Sequence, residues 1–136
     1  MLDTIWDRSK NNAYTNREGD VSIGMFGTAF YSFYDAKKED CIRFIQMCID
    51  ILDNDSDEEM FDICQKALST GISGMQAASA SVILHCLKPY TFPVFNSNSG
   101  NPNIYLYFGI DLEKVSDLSK NIENCKKVKT FRDNNF

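Results

Sequence analysis

The sequence predicts an all-α fold, a single compact domain of about six to seven helices spanning residues 1–136. Apolar residues recur at helical spacing along several segments, and stretches containing glycine or proline separate them. The chain of 136 residues is 43% apolar and 24% charged, a globular composition with enough length to bury its own core. It has no long apolar run and no signal-peptide pattern, so we expect a cytoplasmic protein without a membrane partner.

Two helices are predicted before residue 37. Residues 2–12 carry a short amphipathic pattern. Residues 21–36 repeat aromatic side chains at helical spacing, which predicts a helix that begins near Ser22 or Met25. Gly24 and Gly27 weaken the second helix by roughly 1 kcal/mol each. We interpret these glycines as allowing close helix packing, because the GMFG stretch is too short to form a phosphate-binding loop.

The clearest helical pattern covers Lys38–Leu52, where a broad apolar stripe follows two acids in the first turn. A break follows at residues 54–57. Ser56 and Glu59 have capping-box spacing, which predicts a further helix from Asp57 to about Ser69.

The stretch Ala67–Asn98 is the predicted packing centre of the domain. Gly71 and Gly74 allow a tight turn between helices, and the small residues of the next helix, predicted at Met75–Leu87, allow close approach of another backbone. Pro89 ends that helix. The hairpin is interpreted either as a phosphate-binding helix-hairpin-helix unit or as a plain helix–helix turn with glycine caps.

The sequence after Pro89 predicts an extended segment at residues 90–95, a polar loop at 96–103, and a short helix at 103–108 that ends at Gly109. A basic amphipathic helix follows at about 117–129.

Charge is distributed unevenly along a chain of net charge −5. Residues 50–62 contain seven acids and no base, whereas residues 120–132 contain five bases and one acid. We therefore expect a molecule with an acidic end and a basic end.

No nucleotide-binding or hydrolase motif is present in the sequence, so we expect no enzymatic activity and no cofactor. His85 has no neighbouring second histidine or paired acid, which favours a structural role. The five cysteines have no CxxC spacing, so we expect reduced core thiols and no metal site.

The hairpin region resembles the helix-hairpin-helix DNA glycosylases, in which a glycine turn precedes an alanine-rich helix and a Pro-Val-Asp segment. Leu68, Gly71, Gly74 and the stretch Phe92–Val94 occupy analogous places. The turn is GxxG instead of GxG, and Asn96 stands nearest the family's catalytic aspartate. The alanine-rich helix carries no lysine of the lyase type. The resemblance therefore implies a non-catalytic relative.

A second resemblance covers nearly the whole chain. Four stretches carry it, in the order KNNAYTNREGDVSIGMFGTAFYSFY, ALSTGISGMQAASASVILHCLKPYTFPVFN, IYLYFGIDLEKV and NCKKVKTFRDNNF. This order resembles the N-terminal region of McrB-like AAA+ proteins of modification-dependent restriction systems. The resemblance implies a DNA-recognition module that works with a GTPase or ATPase motor in the same chain or in a partner chain.

These observations predict a DNA-binding surface made of the hairpin and the bases around it. Turn amides would contact phosphate, and lysines would add charge and a steep salt dependence. The predicted set comprises Lys66, Ser69, Thr70, Gly71, Ser73, Gly74, Lys88, Asn96, Lys126, Lys127, Lys129 and Arg132.

The alternative prediction is an acidic protein-interaction module, or a phage-type inhibitor of a nucleic-acid-processing enzyme. Its acidic face would imitate phosphate and engage a basic protein partner. That face comprises Asp53, Asp55, Asp57, Glu58 and Glu59.

Overall fold

The computed structural model describes residues 37–96 and 100–136, and the two helices predicted before residue 37 lie outside these ranges. The described residues form helices and connecting segments without any strand, which confirms the all-α prediction. The helices are α1 (Lys38–Leu52), α2 (Asp57–Leu68), α3 (Ala77–Leu87), α4 (Gly100–Tyr107) and α5 (Lys120–Asn135).

Helices α1 and α2 begin where the sequence predicts, although the cap between them differs in part. Ser56 Oγ accepts a hydrogen bond from the Glu59 amide at 3.3 Å, which confirms the N-cap. The second bond of a capping box, from the Ser56 amide to the Glu59 carboxylate, is not formed. The Ser56 amide donates to Asn54 Oδ1 at 2.8 Å, and Asn54 Nδ2 donates to the Glu59 carboxylate at 2.8 Å. One asparagine amide satisfies both groups, because it supplies a donor and an acceptor.

The other three helices have shifted ends. Helix α3 starts two residues after the predicted Met75, because the Met75 amide closes a turn on the Ile72 carbonyl at 3.0 Å. Helix α4 starts at Gly100, within the predicted loop, and ends before Gly109, whose φ is +76°. Helix α5 runs to Asn135, beyond the predicted end near residue 129.

The core is formed by α1, α2, the hairpin, α3, the segment after α3, and α5. Helices α1 and α2 pack against each other, and α1 also contacts α3 while α2 contacts α5. The segment after α3 contributes Phe92 and Phe95, both fully buried. The remaining buried core residues are Phe44, Met47, Ile51, Met60, Phe61, Cys64, Leu68, Ile72, Met75, Ala80, Ile83, Leu84, Ile122 and Cys125.

The cysteines are free and only partly match the prediction of core thiols. Cys64 and Cys125 are buried, whereas Cys86 is exposed, so the prediction is wrong for that residue. Burial raises the pKa of the Cys64 thiol to about 12 and that of Cys48 to about 12. These two thiols are therefore protonated and unreactive at neutral pH.

Across the described ranges, every helix is too short or too polar to cross a membrane.

Candidate functional site

The hairpin between α2 and α3 depends on two glycines in the left-handed region. Gly71 has φ +72° and Gly74 has φ +77°. The Gly71 amide donates to the Leu68 carbonyl at 3.0 Å, which ends α2. A Cβ on Gly71 would meet nothing within 4 Å, so the requirement for glycine there is conformational and not steric.

The first turn of α1 holds this hairpin in place. Asp40 Oδ2 accepts a hydrogen bond from the Ser73 amide at 2.8 Å. Arg43 pairs with Asp40 at 3.0 Å and donates to the Gly71 carbonyl. Hydrogen bonds from the Ser73 hydroxyl and amide hold the pKa of Asp40 below its ordinary value. The Ser73 amide therefore already donates to a carboxylate of the same chain, and it is not free to bind a phosphate.

A pocket of about 510 Å³ opens beside the hairpin, on the side of α3. One wall comes from the end of α2, the hairpin and the start of α3, and the other from residues 115–119. The lining residues are Leu68, Ser69, Gly71, Met75, Gln76, Ala77, Ala78, Val115, Ser116, Asp117, Leu118 and Ser119.

The first turn of α3 faces this pocket without a side-chain cap. Gln76, at the N-cap position, makes no capping hydrogen bond, and the first turn contains no acid. Ala77 and Ala78 line the pocket. Because the first amides of a helix have no acceptor within the helix, this turn presents donors and the positive end of the helix dipole to the pocket.

The opposite wall of the pocket, residues 115–119, is held by side-chain hydrogen bonds of Asp117 and Asn121. Asp117 Oδ1 accepts hydrogen bonds from the Ser119 amide (3.0 Å), the Ser119 hydroxyl (2.8 Å) and the Lys120 amide (3.2 Å). These bonds lower the pKa of Asp117, the Ser119 hydroxyl bond most of all. The wall is attached to α5 by Asn121 Nδ2, which donates to the Val115 carbonyl at 2.8 Å.

Asn124, which is fully buried, makes the deepest of these attachments. Its Oδ1 accepts from the Glu113 amide at 2.7 Å, and its Nδ2 donates to Asn121 Oδ1 at 2.9 Å. The two asparagines therefore fix the segment that forms one wall of the pocket.

The bases predicted on the last helix are paired with acids. Lys126 lies 3.1 Å from Glu123, and Lys127 lies 2.9 Å from Glu113. Lys127 also donates to the Asp111 carbonyl at 2.6 Å. Neither lysine lines the pocket beside the hairpin.

The rest of the basic run meets the acidic run directly. Lys129 lies 3.4 Å from Glu58, and Arg132 lies 3.2 Å from Asp57. We call these two pairs the α2–α5 clasp. The expectation of an acidic end and a basic end is therefore wrong, because the contact of α2 with α5 brings opposite charges together.

The remaining predicted residues divide between the hairpin and the start of α2. Lys88 donates to the Asn54 carbonyl at 2.7 Å and lies 3.7 Å from Asp55. Lys66 and Thr70 are exposed, and Asn96 is half-buried outside the pocket lining. The predicted DNA-binding residues are thus not one surface: Ser69 and Gly71 line the pocket, while Ser73 and Gly74 lie on the hairpin beside it.

The acids of the alternative surface are largely engaged within the chain. Asp57 accepts from Thr91 Oγ1 at 2.7 Å besides pairing with Arg132, and Asp55, Glu58 and Glu59 have the partners given above. Asp53 has no ion-pair partner among the described residues. An acidic surface that binds a basic partner at this place stays a prediction.

Sequence reasoning missed several residues around the pocket. Lys114 and Lys120 directly flank the 115–119 wall, are exposed, and form no ion pair with any described acid. Gln76 and Ser116 also line the pocket. The Ser-Asp-Leu-Ser order at residues 116–119 is a capping pattern and is the signal that could have identified this wall.

His85 makes a hydrogen bond within the chain. Its Nδ1 lies 2.8 Å from the Phe92 carbonyl and donates to it, a contact consistent with the structural role that the sequence predicts. Within residues 37–96 and 100–136, no group of three potential metal ligands is close enough to hold an ion.

No protein-family model, curated protein or solved structure matches this chain.

Proposed function

We propose that this chain is a non-catalytic DNA-binding module, a domain of about six to seven helices in which α2, the hairpin and α3 act as a helix-hairpin-helix-like unit. The observation that supports it most is the uncapped first turn of α3, which opens onto a pocket of about 510 Å³ beside the left-handed glycine turn. Free amides at a helix N-terminus favour a phosphate oxygen.

The phosphate would bind on the α3 side of the pocket. Asp117 occupies the amides at the start of α5, so that side repels an anion. The Ser116 hydroxyl is an additional donor, since it makes no hydrogen bond within the described ranges.

Long-range attraction in this proposal comes from Lys66, Lys114 and Lys120 instead of the paired bases of α5. A net charge of −5 opposes approach to DNA, so binding depends on this local positive potential and weakens steeply with salt. The resemblance to McrB-like proteins adds a GTPase or ATPase motor as the proposed partner, in the same chain or in another.

The first experiment compares two double charge reversals that change the net charge equally. Lys114→Glu with Lys120→Glu is expected to weaken duplex DNA binding by about tenfold, because unpaired lysines near the pocket are lost. Lys126→Glu with Lys127→Glu is the matched control and is expected to change affinity by less than about threefold. Fluorescence anisotropy across a salt series, with methylated and unmodified duplexes, measures both. Absence of binding even at low salt would sink the proposal, and equal losses would move the surface elsewhere.

A second prediction concerns Gln76, where one substitution should stabilise the fold and weaken DNA binding. Gln76→Asp is expected to raise the unfolding free energy by about 1 kcal/mol, since aspartate is a good N-cap. The same carboxylate would occupy the α3 amides and weaken DNA binding by about fivefold or more. Urea unfolding and anisotropy on one preparation measure the two effects. Gln76→Asn, which caps without charge, is the control. Tighter or unchanged DNA binding by Gln76→Asp would contradict a phosphate at this turn.

A further inference from the structure

We propose that the outward face of α1 binds a basic amphipathic helix of a partner protein. Four large apolar side chains lie exposed along this face at helical spacing: Ile42 (57% exposed), Ile45 (36%), Ile49 (48%) and Leu52 (49%). We call them the α1 outer stripe. Spacings of three and four residues place them on one side of the helix.

The stripe is additional to the face that α1 contributes to the core. Phe44, Met47 and Ile51 are buried on the opposite side. An ordinary amphipathic helix has one apolar face, which packs on the core, and a polar face toward solvent. The α1 outer stripe is a second apolar face. Contiguous exposed apolar side chains of this kind mark a surface that binds another chain.

Acids border the stripe along one side. At 100° per residue, Glu39, Asp50 and Asp53 project together beside the stripe. None of the three forms an ion pair with a described base, and Asp50 accepts only from Gln46 Nε2 at 2.8 Å. These carboxylates differ in this respect from those of the α2–α5 clasp, which the chain neutralises itself.

A groove of about 660 Å³ continues from this border toward α2. Ile42, Gln46 and Asp50 form its α1 side, and Ile63 and Ala67 form its α2 side. Two bases also line it. Arg43 is held by Asp40 and the Gly71 carbonyl, and Lys66 is without an ion-pair partner in the described ranges. The groove is therefore mainly apolar between α1 and α2, with the two acids Glu39 and Asp50 and the two bases Arg43 and Lys66 around it.

This combination fits a helix with an apolar face and lysine or arginine beside it. From Ile42 to Leu52 the stripe extends about 15 Å at 1.5 Å per residue, which matches three turns of a bound helix. A second copy of this chain fits less well, because a two-fold pair would set the acidic borders against each other. Residues 21–36 contain no lysine or arginine, so they would leave the three acids unpaired, whereas residues 2–12 contain Arg8 and Lys10 and are the alternative that the experiment tests.

The experiment titrates the full chain, without DNA, with a fluorescein-labelled Leu/Lys amphipathic peptide of about 14 residues. A scrambled peptide of equal composition and a Leu/Glu version are the peptide controls. Saturable binding of the Leu/Lys peptide alone is the expected result.

Two variants and one matched control locate the site. Ile45→Asp with Ile49→Asp is expected to weaken peptide binding by about tenfold, and Asp50→Lys with Asp53→Lys by about fivefold at low salt. Ile104→Asp with Leu106→Asp makes the same exchange on α4, where both residues are 60% exposed, and is expected to leave binding unchanged.

Three outcomes would overturn the proposal. The first is that the Leu/Lys peptide does not bind the wild-type chain and that the Ile45→Asp, Ile49→Asp variant unfolds at a lower temperature than wild type. That result would mean that other residues of this chain cover the stripe. The second is a wild-type dimer in sedimentation that the stripe variant dissociates. The third is equal binding of the scrambled or Leu/Glu peptide. The Lys114→Glu, Lys120→Glu variant should bind the peptide normally, so failure of the DNA-binding proposal remains distinguishable.

Discussion

Replacing Phe92 with alanine is expected to lower the unfolding free energy by about 3–5 kcal/mol. Phe92 is fully buried, and its ring meets the Phe61 ring edge-on with centroids 5.8 Å apart. Removal of the ring leaves a cavity between α2 and the segment after α3, and surrounding side chains fill such cavities only in part. Urea unfolding followed by helical circular dichroism measures the loss.

The neighbouring Tyr90 provides the control for this substitution. Its side chain is 90% exposed, so Tyr90→Ala is expected to change stability by less than about 0.5 kcal/mol. Arg132 donates to the Tyr90 backbone carbonyl at 2.5 Å, a contact that the substitution retains. A loss for Phe92→Ala no larger than that for Tyr90→Ala would contradict the packing of this segment against α2.

Asn124→Ala is expected to lower the unfolding free energy by about 2–3 kcal/mol and to weaken DNA binding as well. The substitution leaves the Glu113 amide and Asn121 Oδ1 without their partners in a buried site, and each unsatisfied group costs about 1–3 kcal/mol. DNA binding falls because the loss of this attachment frees residues 115–119, which form one wall of the pocket. Denaturant unfolding and anisotropy, measured below the unfolding midpoint, test the two effects.

Asn134→Ala provides the comparison on the same helix. Asn134 is exposed and its side chain makes no hydrogen bond to a described residue, so both quantities should stay at their wild-type values. If Asn124→Ala unfolded no more easily than Asn134→Ala, the hydrogen bonds that Asn121 and Asn124 make to residues 113–115 would not stabilise the fold.

The periodic parts of the fold were predictable, because helical spacing and caps are local properties. The Lys38–Leu52 pattern gives the bounds of α1, and Ser56 gives the start of α2. Gly71 and Gly74 are predictable as turn residues for the same reason. Both adopt the left-handed backbone conformation that glycine reaches more easily than any other residue.

The candidate site was predictable only in part, because its charges are decided by distant contacts. Arg132 meets Asp57 across 75 residues, and nothing in either neighbourhood indicates the other. The sequence therefore assigns the phosphate-binding charge to paired bases. It misses Lys114, and it misses Lys120 although that lysine begins the basic run; neither forms an ion pair with a described acid. The uncapped start of α3 was also not predictable, because the helix begins at Ala77 with Gln76 as its N-cap, two residues after the predicted start at Met75.

The α2–α5 clasp has a consequence for the order of folding. The pairs of Lys129 with Glu58 and Arg132 with Asp57 join residues far apart in sequence, so their formation carries a large loop-closure entropy. During synthesis, α1, α2 and α3 leave the ribosome before α5 exists and can assemble through near contacts first. We therefore expect α5 to dock after α1, α2 and α3, so that Ile122 and Cys125 complete the core only when α5 packs against α2.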